Sequence, residues 1–320
     1  MTPHVTFGMY FLRKRMPVYM CLTRFWFMLF VGFWLTSCSH IAYFVNETVL
    51  TPFMTAPYPD GIPKRPKKAM SGSEFIRLTE GKSKEDREFI ILRELRRGNI
   101  PTFLKELQPV YLTLKKGNDV IHRGTVWVMP DYLAIGRDGD FVRIPMNPLT
   151  AQRVADYFGF SLPTKKLVDE IYRQAEVKLA PSPLPPGDQM VDSSYYSKHD
   201  RIIAKQLKSI SPGSLTAGHK KDVVLTNRLD SMPRRVAIYG WHKAPIKPAE
   251  DAEPIQSLSL VHGNKYADYS HGIRLFAKTM IVDGDEIPVA EVLQNPELSG
   301  LLSDEGIITK TRISTDCPES

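Results

Sequence analysis

The chain has 320 residues, 42 basic against 35 acidic, with 42% apolar residues and three cysteines. Four basic residues (Arg13, Lys14, Arg15, Arg24) and no acidic ones fall in the first 38 positions, so the remainder keeps 38 basic against 35 acidic and a net charge of +3. That near-balance argues against nucleic-acid binding as the source of the basicity, and cysteines only at Cys21, Cys38 and Cys317 leave the body without a disulfide or a thiol nucleophile.

The first predicted element is the apolar run FWFMLFVGFWL, Phe25 to Leu35, eleven residues long. It is too short to cross ~30 Å of hydrocarbon, which takes about 20 residues, and a basic segment followed by a short apolar core reads as a secretion signal. The run ends in Leu35-Thr36-Ser37-Cys38. This order of basic residues, apolar run, small residues and cysteine resembles the lipobox of bacterial lipoprotein precursors. The resemblance covers the leader alone. It implies removal of residues 1–37 and lipidation of Cys38 (palmitate among its acyl chains), each buried CH₂ adding roughly 0.8 kcal/mol of membrane affinity. Ser39, in place of the aspartate that signals inner-membrane retention, implies an outer-membrane protein facing the periplasm. The long stretch before the apolar run makes Met16 and Met20 alternative starts.

Residues 38–70 are rich in Pro and turn residues and read as a tether, with KRPKK at Lys64 to Lys68 solvated near anionic headgroups. From 71 to 180 the expectation is a helix, a β-meander and two further helices. Ser83 with Asp86 caps the first, Phe89, Leu92 and Leu95 form its apolar set, and Gly98 ends it. VYLTL, VIHRGTVWV, YLAIG and FVRI alternate with period two, and Asp138-Gly139 marks a hairpin. Helices follow at 150–158, stopped by Gly159, and at 164–175. The strap PSPLPPGD, 181–188, then interrupts, since proline fixes φ and removes a donor. It joins either two subdomains or one wrapped domain. From 189 to 305 a helix capped by Ser197 with Asp200 precedes strands at DVVLTN, RVAIYGW, IQSLSLV, GIRLFA and TMIV, a closing helical stretch, and then a polar tail at 306–320. The predicted class is α+β, without repeats or a membrane span beyond the leader.

The chain has no glycine-rich phosphate loop, G-x-S-x-G elbow, H-E-x-x-H or C-x-x-C. Histidine stands out instead: five of eight (His199, His219, His242, His262, His271) lie between residues 199 and 271. Four of them sit at expected strand ends or turns, where a rigid sheet can aim functional groups. In AGHKKDVVL, extended geometry puts His219 and Lys221 on one face, as an acid–base or anion-binding pair or simply as a solvated turn. In YGWH the same geometry puts Tyr239 and Trp241 on one face, as a substrate platform or as core, and His242 on the other.

VHGNKYADYSHGIRL, Val261 to Leu275, connects two strands and holds two His-Gly pairs nine residues apart. His262, Asp268 and His271 are enough to ligate a catalytic divalent metal such as zinc with an open position, whose bound water would ionise near neutrality. Without metal, Asp268 would orient His271 as a base while Arg274 or Lys221 stabilises an oxyanion. Read structurally, Asp268 and the glycines only shape turns. The expected function is therefore a membrane-anchored envelope hydrolase. His219, His262, His271, Asp268, Lys221 and Arg274 would be catalytic, and Tyr239, Trp241 and His242 would hold substrate, with peptidoglycan or another envelope component as partner. The alternative is a non-catalytic lipoprotein that binds a protein or a glycan, marked by an exposed apolar patch on the meander.

Overall fold

The computed structural model describes residues 59–244 and 252–315. The leader, Cys38 and Cys317 lie outside the described residues. Ser71 opens α1 (Gly72–Thr79) with a reciprocal capping box: Glu74 N donates to its hydroxyl and its own N donates to Glu74 Oε2. Ser83 caps α2 (Lys84–Arg96) as expected, but the buried stripe is Arg87, Ile90, Ile91, Glu94 and Leu95, with Phe89 68% exposed. The i, i+3, i+4 spacing from Arg87 outweighs the pattern of large apolar residues because this face meets α3 and the neighbouring ribbon. Then β1 (Gln108–Lys116) and β2 (Asp119–Val128) form a long antiparallel hairpin. Next, β3 (Ala134–Arg137) and β4 (Asp140–Arg143) make a separate ribbon and do not extend a meander, because after β2 the chain bonds instead through Met129 N and Leu133 N to Leu275 and Ile273. α3 (Pro148–Phe158), capped by Asn147, ends at Gly159 before β5 (Phe160–Ser161). α4 (Lys165–Gln174), capped by Thr164, and β6 (Val177–Lys178) precede the strap.

Beyond the strap, α5 (Ser193–Gln206) starts one turn earlier than Ser197 suggested, with Asp192 at its N-cap. Ser197 instead accepts from Arg201, and Asp200 is claimed by Arg143. β7 (Thr216–Ala217), β8 (Lys221–Val223), β9 (Ile238–His242) and β10 (Pro254–Ser259) follow. The expected strand GIRLFA is two short ones, β11 (His271–Gly272) and β12 (Phe276–Ala277), separated by the inward-turned Arg274. β13 (Thr279–Val282), β14 (Asp285–Pro288) and α6 (Val289–Gln294) complete the α+β fold.

The larger sheet runs β14-β13-β2-β12-β5, with β1 also on β2. It mixes strands from before and after the strap, so the second half wraps onto the first and shares its core. The strap itself is pinned, Leu184 N donating to Tyr269 Oη and Tyr195 Oη to the Pro185 carbonyl. Both expected polar ends also pack: Arg65 donates to Asn99 Oδ1 and to the Gly136, Ala69 and Met70 carbonyls, while Ile308 and Ile313 are buried. The smaller sheet, β10-β9-β8-β11, is antiparallel except for the parallel pair β8–β11.

Candidate functional site

That parallel pair places His271 beside Lys221, and Lys221 in turn faces Gly240 on β9. Residues 50 apart in sequence thus share one sheet position. The loop leading into β11 is shaped by Asp268, whose Oδ1 accepts from Ser270 N (2.8 Å) and Ser270 Oγ (2.6 Å) and whose Oδ2 accepts from Tyr266 Oη (3.0 Å). Asp268 Oδ2 lies 4.0 Å from His271 Nε2. The imidazole of His271 is wholly buried, and neither ring nitrogen has a hydrogen-bond partner among the described residues. Burial pushes it down to about 4, partly offset by Asp268, so it is neutral at physiological pH. Burial alone would raise Asp268, but His271, Ser270 and Lys221 together hold it below the ordinary carboxylate value.

Above this pair, His262 stacks on Tyr266 (centroids 4.1 Å apart, planes 14°), and the Tyr266 edge meets His271 at 5.7 Å. Lys221 lays its ammonium over the Trp241 ring at 4.9 Å, and burial lowers it while Asp268 opposes. His262, Tyr266 and Lys221 are half-buried and form the outer layer. Beneath it, the fully buried Lys220 donates from Nζ to the Tyr269 carbonyl at 2.6 Å and is pushed down to about 8 by burial. His199 lies edge-on to Tyr269 and Trp241, lowered to about 2 by burial and then by Lys220.

His219 belongs to a different group. Its Nε2 meets Asp131 Oδ1 at 3.0 Å, Asp131 Oδ2 accepts two bonds from Arg143, and Arg143 Nη1 reaches Asp200 Oδ1 at 3.0 Å. Burial would raise Asp131, but Arg143 and His219 hold it well below the usual carboxylate range. The ionised carboxylate only accepts, so His219 carries its proton on Nε2, and Nδ1 is left without a partner. His219 and Lys221 therefore do not act as a pair.

The alternation expected of YGWH also fails. Gly240 (φ 114°) and Trp241 (φ 59°) both take positive φ, and this reverses the strand's facing. Tyr239 Oη (2.7 Å) and His242 Nε2 (2.9 Å) consequently converge on Asp169 Oδ1, while Trp241 turns the other way toward His199 and Tyr269. His242 stacks on Tyr172. Arg274 is committed to the fold: it donates to the Met129 and Thr216 carbonyls and lies over the Tyr132 ring at 4.4 Å. Asp222 behind it accepts from Tyr132 Oη and is pushed up to about 6 by burial.

Of the nine expected catalytic and binding residues, His262, Asp268, His271, Lys221 and Trp241 gather in one place. His219, Arg274, Tyr239 and His242 do not. Sequence reasoning gave Lys220, Tyr266, Asp131, Arg143 and Asp200 no site role, and it placed His199 only within the histidine cluster. Lys220 also left a trace, since two consecutive lysines entering a strand buried on both faces must point one of them inward. The expected zinc ligands His262, Asp268 and His271 are neighbours, but among the described residues no three His, Cys, Asp or Glu side chains form a group able to hold one ion. No protein-family model, curated protein or solved structure matches the chain.

Proposed function

We propose that the protein is a lipid-anchored hydrolase of the cell envelope, held through Cys38 to the outer membrane, with His271 as its acid–base group. The observation that carries this reading is the state of His271: neutral, wholly buried, and with both ring nitrogens unpartnered between a carboxylate and an ammonium. Leaving buried polar atoms unpaired costs about 1–3 kcal/mol each, and such costs collect where chemistry is done. Trp241, a non-glycine residue held at positive φ beside the same group, is a second such cost.

On this reading the His271 imidazole takes a proton from water as the water oxygen attacks a carbonyl carbon, and later returns it to the leaving group. Asp268 stabilises the imidazolium, and Lys221, positioned by Trp241, faces the developing oxyanion. Access to the buried ring requires the Tyr266–His262 stack to swing aside. Tyr266→Ala should therefore raise turnover of small substrates.

Full-length protein in detergent would be incubated with isolated peptidoglycan sacculi and with a panel of peptide, amide and ester substrates, and released products read by mass spectrometry. Release by the wild type that falls at least 100-fold in His271→Gln, with an unchanged fold, supports the hydrolase. No release from any substrate, or equal release by the variant, overturns it. The second reading, a binding lipoprotein, is favoured by the apolar side chains exposed on the β1–β2 hairpin: Tyr111, Val120 and Ile121.

A further inference from the structure

A cavity of about 430 Å³ lies between α1, the tip of the β3–β4 ribbon, α5 and the loop that follows α5. Its size is that of a small-molecule site. Nothing in the hydrolase reading uses it, and none of His262, Asp268, His271 or Lys221 lines it.

The charges of the lining are unequal. Four carboxylates (Asp131, Asp138, Asp140, Asp200) face two guanidiniums, Arg143 and Arg201. In the floor, Arg143 is shared between Asp131 and Asp200, and the buried Lys220 is a further cation near both carboxylates. Asp138, Asp140 and Asp200 each have one oxygen anchored in the fold, and Ser71 also hydrogen-bonds to Asp140. Asp138 Oδ1 accepts from Thr102 N and Phe103 N, Asp140 Oδ1 from Ser73 N and Oγ, and Asp200 Oδ1 from Arg143. Asp200 is only 7% exposed and lines the cavity, and among the described residues nothing donates to its Oδ2. A carboxylate oxygen on the cavity lining favours a cationic donor.

The walls between these carboxylates are apolar and aromatic. Phe103 and Phe141 meet edge to face at 5.3 Å, and Phe141 already carries the Arg143 guanidinium at 5.2 Å from its ring centre. Aromatic faces beside carboxylates suit an organic cation. A bare metal ion fits poorly: the volume is far too large for one ion, and among the described residues no three carboxylates converge.

We infer that the cavity bounded by Asp138, Asp140, Asp200, Phe103 and Phe141 binds a ligand carrying a protonated amine on an apolar body. The ammonium is held by the carboxylates of the lining, and the body lies against the two phenylalanines. This site is separate from the proposed hydrolytic group, and its test does not depend on turnover.

The test is ligand-observed NMR titration of the full-length protein with phenethylamine and, as the neutral counterpart of the same shape, 2-phenylethanol. Asp140→Asn removes a half-buried charge outside the core. Asp200→Asn removes the buried one and leaves Arg143 its partner Asp131. Ala204→Trp, at an exposed position on the cavity wall of α5, fills the space without entering the core. The expected result is saturable amine binding at least 10-fold tighter than the alcohol, weakened several-fold by each Asp→Asn change and abolished by Ala204→Trp. Equal binding of amine and alcohol, unchanged binding in Ala204→Trp, or no saturable amine binding overturns the inference.

Discussion

Replacing His271 by glutamine should alter the pH dependence of stability by an amount that follows from its burial. The ordinary imidazole value is 6.5 and burial holds His271 at about 4 in the folded protein, a depression worth about 3 kcal/mol. A group with a depressed folded value binds its proton more readily in the unfolded chain. Its contribution is therefore full above pH 6.5 and is lost as the pH falls toward 4. His199 and His219 are also depressed and destabilise the fold at acid pH, but they do so in both proteins and cancel in the difference. Urea unfolding followed by tryptophan fluorescence at pH 7.5 and pH 4, extrapolated linearly to water, gives the two free energies. Relative to wild type, His271→Gln should gain about 3 kcal/mol between those conditions. Parallel pH profiles for the two proteins would mean that His271 titrates normally, and the neutral-base argument would fall with that result.

Four other substitutions probe the framework. Glu88, which accepts from Asn147 N at the start of α3, is pushed up to about 7 by burial. This carboxyl keeps its proton in the fold after the unfolded chain has lost it, so it lowers stability as pH rises from about 4.5 to 7. Glu88→Gln should remove roughly 3 kcal/mol of that decline in the same urea assay, opposite in sign to His271. Asp131→Asn leaves the buried Arg143 with one charged partner instead of two; a loss of about 3–5 kcal/mol in urea melts is expected, and a loss under 1 kcal/mol would show the ion pair to be dispensable. The two His-Gly pairs should respond differently to alanine in thermal melts. A Cβ at Gly272 would lie 2.6 Å from the Tyr132 ring and 2.7 Å from Lys220 Cβ, whereas at Gly263 the nearest atom is 3.8 Å away. Gly272→Ala should cost about 1–3 kcal/mol and Gly263→Ala almost nothing; equal effects would contradict the packing around β11.

What the chain states by itself is local. Ser83, Thr164 and Gly159 mark helix ends because capping groups act within one turn. The β1–β2 hairpin is legible because alternation of side chains along adjacent runs needs only neighbouring residues. The α+β class and the concentration of histidine between residues 199 and 271 were visible in the same way. Tertiary structure decided the rest. Only the parallel pairing of β8 with β11 puts Lys221 beside His271, and no local pattern encodes a partner 50 residues away. Only the positive φ of Gly240 and Trp241 sends Tyr239 and His242 together to Asp169 and turns Trp241 toward His199, overriding the facing that an extended strand imposes. The floor of the cavity joins residues 131, 143 and 200, drawn from the β2–β3 connection, the end of β4 and the middle of α5. Buried charges choose their partners by proximity in the folded core, where low dielectric makes an unpaired charge expensive, and that proximity exists only once the chain has wrapped.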